Sequence, residues 1–129
     1  MASTESNVYK ILLPSQWPID ETKAFPTEID ERDGFVHLST ASQALRVANL
    51  FYSNQEKIIL LEIPVAGLKG DKLKWEAPVH PTAVDGQKEE QEKTVNQELY
   101  PHLYGKLSAS LIAKVSEILS KDGVYNFEV

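Results

Sequence analysis

Apolar positions along this chain recur with two periods, every second residue in some stretches and every third or fourth in others. Residues 7–13 (NVYKILL) predict an apolar β-strand closed by Pro14. From Ser15 to Arg32 the chain carries Trp17-Pro18, Phe25-Pro26 and many charges, which predicts a short helical turn near Trp17 and then a long surface excursion. Asp33-Gly34 is a turn signal, and residues 35–39 alternate as a strand. Thr40 and Gln43 have the T-x-x-Q spacing of a capping box, in which each side chain satisfies a free amide at a helix start. The predicted helix keeps Ala41, Ala44, Leu45, Ala48, Phe51 and Tyr52 on one stripe.

Residues 57–64 (KIILLEIP) are the most strand-like run and belong at the centre of a sheet. A turn over 67–71 leads to a second alternating stretch at 73–77 (LKWEA). Residues 79–98 lose the apolar periodicity and include KEEQEK, which predicts an exposed, mobile, acidic insertion loop. Ser108 suits an N-cap for a helix with Leu111, Ile112, Val115, Ile118 and Leu119 on one face, stopped by Gly123. Residues 124–129 then read as a closing strand. Strands and helices are interspersed without strict alternation, which favours an α+β class. The 129 residues fit a single domain with a flexible start at 1–6.

Composition narrows the functions. There is no cysteine, which removes thiol nucleophiles and thiolate metal sites and fits a reducing compartment. The polar start lacks a secretory pattern, and no apolar run approaches the ~18–20 residues of a membrane span, so a cytoplasmic location without membrane contact is expected, with nuclear entry by diffusion. The net charge is −6, from 19 acidic against 13 basic residues, and only Arg32 and Arg46 are arginines. Nucleic-acid binders concentrate cations on one face, so nucleic acid is not expected as a partner. His37, His80 and His102 show no close ligand spacing, so no metal site is expected. Oligomeric state is left open.

Three segments could carry chemistry. In Asp33–Gly–Phe–Val–His–Leu–Ser39, alternation puts Val36 and Leu38 on one face and His37 and Ser39 on the other. An imidazole and a hydroxyl beside a helix start could grip a diol, a phosphate or an amide. The same spacing suits a half-buried histidine bonded to backbone and a serine that helps the cap. In Tyr100–Pro–His–Leu–Tyr–Gly105 the rings of Tyr100, His102 and Tyr104 share a face if the segment is extended, a surface for a planar heterocycle. Taken alone, the segment reads better as an ordinary aromatic cluster at the edge of the core. Glu76, beside Trp75, could act as a general base or stabilise a cation, or be a solvated strand residue.

The order NVYKILL, Trp17, DGFVHLSTASQ, LLEI, LKWEAP and YPHLYGKL resembles domain-of-unknown-function family 952 from about Val8 onward. Members of that family usually join the LKWE strand to PHLYG by a shorter link, so residues 79–98 look like an enlarged loop. The family is similar in fold to the ADP-ribosylation superfamily, which implies two small mixed or antiparallel sheets forming a cleft, with flanking helices, and NAD or ADP-ribose as ligand. On that resemblance His37 with Ser39 would meet a ribose, and Tyr104, with Tyr100, would pack on a base. No glutamate falls in a recognisable catalytic motif. Glu76 and Glu128, with His102, are the catalytic candidates by their chemistry. The resemblance therefore implies a nucleotide pocket that either binds only or carries transferase or NAD glycohydrolase chemistry. The alternative is a protein-interaction module that uses the acidic loop.

Overall fold

A computed structural model describes residues 6–68, 72–77 and 99–127 of the chain. The predicted insertion at 79–98 and Glu128 lie outside the described residues. Two three-stranded antiparallel sheets carry the α+β fold. One has the order β1 (Asn7–Leu12), β3 (Lys57–Pro64), β6 (Lys114–Leu119), and the other β2 (Val36–His37), β5 (Tyr100–Leu103), β4 (Leu73–Glu76).

Strand β3 is central, as its run of apolar residues requires, and both its faces are covered. On one face Tyr9, Ile11, Ile58 and Leu60 pack with Ala44 and Ala48 of helix α2 (Ala41–Phe51) and with Tyr125. On the other, Val8 and Ile63 meet Val36, Leu38 and Leu103 of the second sheet. The layers are thus helix, sheet, sheet. Helix α2 starts where its capping box predicts: Thr40 accepts from the Gln43 amide and the Gln43 side chain accepts from the Thr40 amide. Gln43 also donates to the Leu99 carbonyl at 2.8 Å, tying the helix start to the entry of β5.

Three expectations are corrected. The segment after Ser108 is a 3-10 turn (Ala109–Leu111) followed by strand β6, not a helix. The free edge of β3 takes the segment as a partner, with Ile118 opposite Ile58 and Val115 opposite Leu61. The β-branched Val115 and Ile118 suit that pairing. Secondly, Gly123 does not stop a helix. With Asp122 it forms a two-residue turn, both at positive φ, whose flanks Lys121 and Val124 exchange two backbone hydrogen bonds. Beyond it Tyr125 is anchored rather than paired as a strand, through its amide to Asn49 Oδ1 at 2.7 Å and its hydroxyl to the Gln55 carbonyl at 2.8 Å.

Thirdly, the excursion before Asp33 contains a helix, α1 (Glu28–Asp33), capped by Thr27 and ended by Gly34 at φ +85°. Its Asp30 is fully buried. Alternation along β1 turns Lys10 toward the space between the sheets with Val8 and Leu12, where it is 4% exposed. The Lys10 ammonium lies 2.8 Å from Asp30 Oδ2 and donates to the His37 carbonyl at 3.1 Å. One ion pair therefore joins α1 to β1, and β1 to β2. Burial alone would push the Asp30 carboxyl up, but the Lys10 charge and the hydrogen bonds from His37 and Lys10 outweigh it and hold it below the usual carboxylate range.

Removing one partner leaves the other charge buried and alone. Asp30→Ala is expected to cost about 3–5 kcal/mol in urea unfolding. Lys10→Met combined with Asp30→Ala should cost less than Asp30→Ala by itself, and an equal or larger loss in the double variant would show that the pair is not the tie between the sheets.

Candidate functional site

The register of the second sheet brings the two sequence motifs together. His37 pairs directly with His102 across β2 and β5, and His102 pairs with Lys74 across β5 and β4. Paired residues of an antiparallel ladder share a face. Val36, Leu103 and Trp75 take the opposite face and pack into the core. The outer face thereby gathers Phe35, His37, His102, Tyr104 and Glu76. The Phe35 ring stacks on His102 at 4.1 Å and touches His37 at 4.5 Å and Tyr104 at 5.2 Å, and the two imidazoles meet edge to face at 5.8 Å.

The histidines differ in their partners. His37 Nδ1 lies 2.6 Å from Asp30 Oδ1 and Nε2 lies 2.8 Å from Asp33 Oδ2, so both ring nitrogens face carboxylates from one end of α1. The same Asp30 oxygen accepts from the His37 amide at 3.0 Å. His102 is 2% exposed and its Nδ1 lies 2.7 Å from Glu76 Oε1. Its Nε2 meets no protein partner among the described residues. Burial pushes the His102 imidazole below its ordinary value, and the opposing pull of Glu76 does not overcome it. Burial likewise raises Glu76, but the hydrogen bonds from His102 and Tyr104 and the Lys74 charge win there, so its carboxyl sits below its ordinary value.

Together these place a neutral His102 that donates Nδ1–H to an ionised Glu76 and keeps Nε2 as an acceptor. Tyr104 donates its hydroxyl to the same Glu76 oxygen at 2.7 Å, and that bond raises the phenol. Glu76 Oε2 has no protein donor among the described residues. An imidazole oriented by a carboxylate is a general-base arrangement, and a fixed carboxylate with one open oxygen can meet a developing positive charge.

Two of the residues expected at the site stand apart. After His37 the chain makes one more bond to β5, from the Leu38 amide to the Pro101 carbonyl, and then crosses to the first sheet. Ser39 exchanges both backbone hydrogen bonds with Tyr9 and is buried there, and the structure shows no side-chain contact between it and either histidine. Tyr100 shares the outer face, but its hydroxyl accepts from Arg46 Nη2 at 2.8 Å, toward α2. Glu128 lies outside the described residues. Phe35, Lys10, Asp30 and Asp33 join the site without having been singled out. Phe35 had a signal, since it alternates with His37, whereas Asp30 falls in the charged stretch read as a surface excursion and Asp33 in a turn signal. A groove of about 470 Å³ lies elsewhere, lined by residues of β1, the 13–31 segment and Tyr52, and of the residues just placed at the site only Lys10 borders it. Among the described residues no helix is long and apolar enough to cross a membrane, and no His, Cys, Asp and Glu cluster forms a metal site.

The profile of a family described as "Protein of unknown function (DUF952)" matches residues 11–115. No curated protein matches the chain. Among solved structures, the crystal structure of protein CC0527 from Caulobacter crescentus is similar with a TM-score of 0.69 and 27% identity, covering 93% of each chain. The solution structure of the same protein gives a TM-score of 0.67 at 24% identity, covering 93% of this chain and 90% of that one.

The pH dependence of stability follows from the shifts. Because His102 is held below 6.5 in the fold, the unfolded chain takes up that proton first as pH falls, so stability declines from about pH 6.5 downward. Asp30 and Glu76 are also held low, so their contribution is present above the ordinary carboxylate values and is lost as pH falls through and below them. His102→Asn should flatten the upper branch of melting temperature against pH and leave the part of the lower branch that belongs to Asp30. An unchanged slope just below pH 6.5 would show that His102 does not titrate this way.

Proposed function

The chain belongs to the family of proteins of unknown function DUF952, and from that premise we propose that the histidine face binds a nucleotide-like ligand of the NAD or ADP-ribose type. The observation that carries the reading is His102 itself. It is buried against the Phe35 ring and aimed through Nδ1 by Glu76, while Nε2 has no partner among the described residues. The exposed ring of Tyr104, with Lys74 5.8 Å from its centre, offers a flat surface beside a cation, which suits a base or nicotinamide ring next to phosphates.

The resemblance to the ADP-ribosylation superfamily supplies the ligand class and the finer fold reading, two small antiparallel sheets of that type. The site alters one expectation drawn from it. With both His37 nitrogens on carboxylates, the imidazole nitrogen offered to a ribose hydroxyl is His102 Nε2. Should NAD be cleaved, the bond from ribose C1′ to the nicotinamide nitrogen breaks with its electron pair leaving on nicotinamide. Glu76 is the carboxylate that stabilises the resulting positive charge, and His102 accepts the proton of the attacking hydroxyl or water. The reading assigns the protein to the cytoplasm, in keeping with a chain that has no cysteine. It takes a small molecule rather than nucleic acid or a membrane as the partner.

NAD or ADP-ribose should raise the melting temperature, as any ligand that prefers the folded state must. His102→Ala should abolish that shift, and Tyr104→Phe should reduce it while lowering the unliganded melting temperature only slightly. Glu76→Gln separates the two modes of action. Loss of nicotinamide release with retained binding makes the protein an enzyme, whereas binding without release by the unaltered protein makes the site a sensor or carrier. No shift with either nucleotide at millimolar concentration removes the reading.

A further inference from the structure

The groove of about 470 Å³ on the other side of Asp30 has a chemistry of its own. Lys10 borders it with a side chain only 5% exposed. Its ammonium has three protons. The His37 carbonyl accepts from it and Asp30 Oδ2 lies against it as an ion pair, and no other described residue accepts from the ammonium. The Tyr52 hydroxyl borders the same groove and also meets no protein partner among the described residues. Burial and the nearby Asp30 charge push the phenol up, which keeps it a donor. The inner end of the groove therefore offers two unfilled donors.

The outer end has the opposite character. Glu28 and Glu31 border it one turn apart on α1, on the same side of the helix. Both are exposed, and neither has an ion-pair partner among the described residues. Asp20 and Lys23, also on the groove, act on one another, and the Lys10 charge is already met by Asp30. The uncompensated charge is thus the pair of glutamates, which repels a polyanion and attracts an ammonium. Phe25 and Pro18 add apolar surface to the same lining.

We propose that this groove is a binding site, separate from the histidine face, for a small zwitterion of the amino-acid or dipeptide class. Its carboxylate meets Lys10 and Tyr52, its ammonium lies between Glu28 and Glu31, and its apolar side chain lies against Phe25. A nucleotide is excluded by the same charges, so the two sites take different ligands.

The probes are L-phenylalanine, N-acetyl-L-phenylalanine and L-phenylalaninamide, each titrated into the isotope-labelled full chain and followed by amide NMR. Free phenylalanine should move the amides of Ile11, Phe25, Thr27 and Tyr52 saturably, and both blocked forms should bind several-fold more weakly. Tyr52→Phe should weaken phenylalanine about two- to tenfold, the worth of one hydrogen bond, with the melting temperature unchanged. Replacing Glu28 and Glu31 together by Gln should weaken phenylalanine and its amide while leaving the N-acetyl form unaffected. The proposal is overturned by the absence of any saturable shift, by equal binding of the blocked forms, or by variants that bind like the unaltered protein. A response confined to His102 and Tyr104 overturns it as well, because the ligand then belongs to the other face.

Discussion

Asp30 is the group on which the rest of the arrangement depends. A lysine on the inward side of β1 brings an ammonium into the space between two sheets, and such a charge persists there only with a partner. Asp30 supplies it, and its second oxygen takes the amide and Nδ1 of His37. A hydrophobic pair of similar volume could hold the layers with comparable strength. What the ion pair adds is direction, because a carboxylate between an ammonium and an imidazole tolerates few relative placements of β1, α1 and β2. The bridge between Tyr9 and Ser39 then locks the crossover from one sheet to the other.

From that anchor the two histidines acquire different roles although they sit opposite one another on adjacent strands. His37 is held from the α1 side by Asp30 and Asp33, so both its ring nitrogens face carboxylates. His102 is held from the far side of the sheet by Glu76 and keeps one nitrogen open. Phe35 lies against both rings. Electrostatics at His102 are consequently set by burial more than by its carboxylate partner, which is why burial prevails over the pull of Glu76.

Legibility in the sequence tracked how local each cause was. The α2 start was readable because Thr40 and Gln43 satisfy one another within four residues, and β3 because eight residues of nearly continuous apolar character need two covered faces. The segment 111–119 was not, because its apolar residues fit a 3.6-residue stripe as well as strand alternation, and the choice was made by the open edge of β3, which no local signal announces. Helix α1 was hidden by its composition: five of its six residues are charged, and only the tertiary position of Lys10 makes Asp30 a buried group. The meeting of His37 with His102 depends on the β2–β5 register, whose two strands are more than sixty residues apart in the chain. Each motif was visible, but not that the crossover would draw Ser39 away and leave Phe35 in the cluster.

A consequence for reading variants follows from the two oxygens of Asp30. Oδ1 serves His37 on the histidine face and Oδ2 serves Lys10 at the groove, so a change at Asp30 perturbs both places at once. Loss of a response after such a change therefore assigns nothing to either site. Groups that touch one site alone carry the information. Tyr52 borders the groove and Tyr104 bonds Glu76, and each can lose a hydroxyl without disturbing a buried charge. Thermodynamic coupling between the two places, were it measured, would have to be equal in both directions. Asp30 and Lys10 are the physical links through which it would run, because Asp30 is bonded to a residue of each place and Lys10, on the groove, donates to the His37 carbonyl.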